Sequence, residues 1–146
     1  ATIDNELVMD ESRGTPLNYG FLFSEARLAS NVDSPRPDIT VSRDGDNIYL
    51  DANNLKASFF KYGEYADQQK AENAFRNLSS ASADQWEERA GILMENQIWL
   101  YRSNTGNYTK IRIISVLKED RALQKYVRCT FEWAYQPDGT LSFPGK

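Results

Sequence analysis

The chain contains no histidine, and with it go the commonest general base, the commonest zinc ligand and every Ser-His or Cys-His nucleophile arrangement. Its one cysteine, Cys129, cannot close an intrachain disulfide. No run of about 18 apolar residues occurs, so no transmembrane helix is expected. Neither GxGxxG nor GxxxxGK[ST] is present, which removes the glycines that cradle nucleotide phosphates. Lys and Arg number 17 against 21 Asp and Glu, a net charge of -4. That balance opposes nucleic acid, whose phosphates require clustered cations. With no catalytic motif left, the sequence points to a non-enzymatic protein, and no cofactor or metal is expected.

What is present is aromatic and ordered. Seven Phe, eight Tyr and three Trp in 146 residues suit one globular domain rich in β-structure. Residues 97–103 and 108–117 read as two strands around a turn cluster at 104–107. After a charged break at 118–125, residues 126–135 alternate. Val127, Cys129, Phe131, Trp133 and Tyr135 face one way, and Arg128, Thr130 and Glu132 the other. Cys129 therefore belongs to the core rather than to reactive thiol chemistry.

Upstream, residues 1–16 are polar and without period and are read as a flexible or partner-bound arm, so that the β-rich domain spans 17–146. The start without Met or leader is read as a mature N-terminus and favours export. Residues 17–28 are expected as one strand, with Gly20 marking a bend or bulge, and 31–38 as a loop. A hairpin follows around Asp44 and Gly45. A short strand is expected over 55–62 and a last one at 141–143, stopped by Pro144. Between 64 and 92 the period becomes helical: Ala71, Ala74, Phe75 and Leu78 form one apolar stripe. Ser82 and Gln85 form a capping-box signal for a second helix through Trp86 and Ala90. The fold class is mainly β, with antiparallel sheets in a sandwich or barrel-like arrangement and one or two short helices inserted.

Three cations are the candidate ligand or partner surface. Arg102, Lys110 and Arg112 lie on adjacent strands around the 104–107 turn, where they could cluster for an anionic ligand; a plain solvated sheet face explains them without any ligand and is the better reading. Asp44, Asp46 and Asp51 are the best calcium candidates, yet Ile48 stands where a third ligand belongs and Gly45 is out of place, so a solvated turn is the better reading.

The segments Ile98-Trp99-Leu100-Tyr101-Arg102, Thr105-Gly106-Asn107-Tyr108-Thr109-Lys110 and Cys129-Thr130-Phe131-Glu132-Trp133-Ala134-Tyr135, followed by Pro137-Asp138-Gly139, resemble HmuY-type domains, β-rich surface lipoproteins of Bacteroidota. The resemblance covers mainly the C-terminal third. It implies export to the cell surface or periplasm and binding of haem or another hydrophobic ligand. Haem-binding members use paired histidines, or methionines in some; here Met9 and Met94 are the only thioethers, and neither lies in a matching segment. The leading expectation is an exported β-domain that binds a protein partner or a hydrophobic or anionic small ligand. The alternatives are an assembly subunit, a homo-oligomer among its forms, joined through the N-terminal arm, and a haem binder.

Overall fold

Strands make up most of the regular structure in the computed structural model, which describes residues 1–54 and 56–143. In chain order come β1 (Thr2–Asp4), β2 (Leu7–Asp10), β3 (Thr15–Leu22), a 3-10 turn (Phe23–Glu25), β4 (Arg27–Ser30), β5 (Ile39–Asp44) and β6 (Asn47–Ala52). Then follow β7 (Phe59–Glu64), α1 (Gln68–Asn77), β8 (Arg89–Ala90), β9 (Gln97–Arg102), β10 (Tyr108–Asp120) and β11 (Lys125–Gln136). One antiparallel sheet runs β1-β11-β10-β9-β7; the other runs β2-β3-β5-β6-β8, with β4 also paired to β3. The two form a sandwich-like stack rather than a closed barrel.

The core lies between the sheets. Val127, Cys129 and Phe131 are fully buried on the inner face of β11, as their alternation predicts, and Trp133 and Tyr135 pack against the same cluster. The Phe131 ring stands edge-on to Phe21 at 5.6 Å, the geometry that opposes a ring edge to a π face. The alternate residues of β9 and β10 point outward and build a second cluster. There Ile98 and Leu100 meet Phe75 and Leu78 of the helical segment and Phe143 near the chain end. Asp67 caps α1 by accepting from the Lys70 amide at 2.8 Å.

Several expectations change. Residues 17–28 are not one strand: the chain turns at Phe23, whose amide donates to Asp38 Oδ2 at 2.9 Å, and returns as β4. Gly20 is neither bend nor bulge, because a Cβ there would lie 2.1 Å from the Ile39 carbonyl oxygen; the requirement is close strand approach. The second helix does not form. Residues 82–88 run without helix, the Glu87 amide and carbonyl bond the Phe59 backbone, and β8 joins β6. Cross-strand hydrogen bonds and the packing of Trp86 on Phe60 and Tyr108 outweigh a local cap signal. Segment 1–16, expected as an arm, pairs inside the chain instead: Ile3 sits opposite Cys129 on β11, and β2 opposite Leu17 and its neighbours on β3. The charged break at 118–125 narrows to the turn between β10 and β11. Strand β7 begins at Phe59; Leu55, at the expected start, and Pro144, the expected stop, lie outside the described residues. Near the end only an isolated bridge joins Ser142 to Ser80.

Candidate functional site

The three cations expected as a ligand surface do share the outer face of the β9–β10 hairpin, but α1 and its trailing segment cover two of them. Lys110 is fully buried, and its Nζ donates to the carbonyls of Phe75 at 2.5 Å and Leu78 at 3.0 Å. Those carbonyls belong to the end of α1, where unpaired acceptors and the helix dipole favour a cation. Arg112 is 4% exposed; its Nε donates to Glu132, and its Nη2 lies 3.8 Å from Glu72 of α1. Both residues fasten the helix to the sheet. Arg102 alone reaches a surface depression, with its Nε donating to the Ala57 carbonyl at 3.1 Å and its guanidinium 4.6 Å from the Trp86 ring centre. The acidic turn does not converge either: Asp46 lies near Arg43 and Lys118, and Asp51 bonds Arg89 at 2.7 Å.

A different grouping forms at the end of the sandwich where the loop at 31–38 meets the turn at 103–107. Four adjoining depressions, of between about 110 and 250 Å³ each, share walls there. Arg36 lines three of them. Held between Pro35 and Pro37, which favour extended backbone, Arg36 is exposed and makes no ion pair or side-chain hydrogen bond among the described residues. Around it stand the amides of Asn18, Asn31, Asn53, Asn54 and Asn104. Asn18 Oδ1 is buried without a hydrogen-bond partner among the described residues. Lys56 and Arg102 extend the groove on one side, and Leu22 and Tyr135 on the other.

Among the described residues, Asp38 is the one carboxylate lining this groove, and it is turned inward. Its Oδ2 accepts from the Phe23 amide and its Oδ1 is 3.4 Å from the Tyr101 hydroxyl. Burial pushes the Asp38 carboxyl above the usual range, against those two hydrogen bonds, and burial also raises the Tyr101 phenol. The groove is thus lined by three cations and a set of amides, several already bonded within the loops, such as Asn53 Nδ2 to the Pro37 carbonyl and Asn54 Oδ1 to the Lys56 amide and Ser58 hydroxyl, while its carboxylate is engaged. Sequence reasoning missed Arg36; the available signal was a lone cation between two prolines in a loop, which a sequence pattern cannot place near Asn53 or Asn104.

Met9 and Met94 are 59% and 60% exposed, and neither lines the groove. No helix among the described residues is long and apolar enough to cross a membrane. No family model, curated protein or solved structure matches the chain.

Proposed function

We propose that this chain is a non-enzymatic binding domain, carried outside the cytoplasm, whose loop-end groove takes a small, hydroxyl-rich anionic ligand such as an acidic sugar. The unpaired Arg36 guanidinium at the junction of three depressions carries the reading. A planar fork of donors suits a carboxylate, and surrounding asparagine amides both donate to and accept from hydroxyls. The HmuY-type resemblance supports the exported location. Calorimetric titration with glucuronate, glucose and acetate tests the proposal by separating charge from hydroxyls. Glucuronate should bind more tightly than the other two, and Arg36→Ala should weaken it by about tenfold or more. Equal binding of the three, no binding of glucuronate, or indifference to Arg36→Ala would overturn the assignment.

A further inference from the structure

In the hairpin from β2 to the start of β3, burial does not alternate along the strand. Successive strand residues point to opposite faces, so a strand lying on a core buries every second side chain. In β2 three consecutive apolar residues are all open to solvent: Leu7 at 57%, Val8 at 50% and Met9 at 59%. Neither face of this strand is covered. β2 pairs only with β3 among the described residues, so its other edge presents unpaired backbone groups. Of the devices that ordinarily blunt an edge, β2 has no lysine, proline or bulge; its protection is its length of four residues and the charge of Asp10 at its end.

The charges beside the strand limit what can pair there. Glu6 precedes the apolar triplet, and Asp10 and Glu11 follow it; Arg121 lies 3.9 Å from Glu6 and Arg13 3.5 Å from Asp10, exposed pairs of a kind worth little in water. An antiparallel pair of two copies centred on Val8 would set Leu7 against Met9, and also Glu6 against Asp10 at both ends. Like charges directly opposite one another destabilise a sheet pair. Self-pairing is therefore opposed by the same residues that would attract a strand with basic ends. We infer that the free edge of β2 docks an extended segment of a partner protein, an apolar triplet flanked by Lys or Arg, by strand addition. Backbone hydrogen bonds would supply the pairing, and Glu6 and Asp10 would set the register against the basic flanks.

The test uses the whole protein and labelled synthetic peptides followed by fluorescence anisotropy. A peptide with a central Val-Ile-Val and Lys-Arg flanks should bind saturably. The same peptide with Glu flanks should bind at least about tenfold more weakly. N-methylation of alternate peptide amides, which deletes strand hydrogen bonds while keeping charge and apolar area, should weaken binding comparably. Leu7→Lys and Met9→Lys, both at exposed positions, should do the same with the melting temperature unchanged. Absence of binding, equal binding of basic and acidic peptides, or insensitivity to N-methylation would overturn strand addition. A concentration-dependent dimer in sedimentation, lost in Met9→Lys, would show that the edge pairs with itself and would equally overturn the inference.

Discussion

Lys110 and Phe75 meet twice: the ammonium donates to the Phe75 carbonyl at 2.5 Å and lies 4.4 Å from the centre of its ring. A strand lysine thus closes the end of α1 from beneath, where a glycine or an asparagine more often does so. The consequence is a helix held by its last turn. Lys110→Met keeps much of the apolar stem and removes the donors, taking the ammonium from both carbonyls and leaving Phe75 only the Leu78 amide at 3.3 Å. It should destabilise the fold by about 2–4 kcal/mol, read as a lower urea midpoint. Lys70→Met, at an exposed position on α1, should change the midpoint little. Equal midpoints for Lys110→Met and the parent would mean the buried ammonium does not hold the helix.

Phe131 and Thr130 are neighbours on β11 with opposite fates. Phe131 is fully buried against Phe21 and Phe23, whereas Thr130 faces the other way and bonds Thr2 at 3.0 Å. Phe131→Asp loses a buried ring and places an unpaired carboxylate among apolar groups, at a cost of about 3–5 kcal/mol or more. Thr130→Asp should cost much less. Comparable losses from the two substitutions in thermal or urea unfolding would reverse the assignment of faces.

Asp38 gives a pH dependence of defined sign. Its carboxyl is raised by burial above the ordinary value of 3.8, so between that value and its folded pKa the native state holds more protons than the unfolded state. Stability from this residue therefore rises as pH falls through the folded pKa towards 3.8, and falls again as pH rises. Asp120 works oppositely: its hydrogen bond to Arg43 lowers its pKa, so its contribution is present above the ordinary value and lost as pH falls. The difference in unfolding stability between parent and Asp38→Asn isolates the first effect. That difference should shift in favour of the parent as pH drops through the window. A flat difference from neutral to mildly acidic pH would show that the carboxyl titrates normally.

What the sequence made legible follows from how local each signal is. The alternation from Val127 to Tyr135 needs only the period of one strand, and the stripe of Ala71, Phe75 and Leu78 only the period of one helix. Lys110 and Arg112 could not be read the same way. Polar residues on an outer sheet face look identical in sequence whether water or a helix covers them. The capping signal at Ser82 and Gln85 gives way to a distant partner, the Phe59 backbone, which bonds Glu87. β1 is too short to show a period, and only its register against β11 buries Ile3. The groove around Arg36 is the extreme case, since its walls come from loops far apart in the chain.

Haem binding is where the family resemblance meets the side chains most directly. Tight ligation requires an axial side chain, and without imidazole the available groups are thioethers, the thiol and the phenols. Cys129 is fully buried, its thiol pushed up to about 12 by that burial, so it cannot serve as a thiolate at the surface. The Tyr101 hydroxyl points at Asp38 and is likewise held protonated by burial. Met9 lies on β2 and Met94 in the segment before β9, where its amide bonds Gln97; both residues are exposed and neither lines the groove around Arg36. A titration of the purified protein with haem, followed by visible absorption, should show only gradual, unsaturated association. Met9→Ala and Met94→Ala should leave that curve unchanged. A sharp low-spin spectrum that saturates at equimolar haem and disappears in Met94→Ala would refute the prediction and move the ligand site away from Arg36.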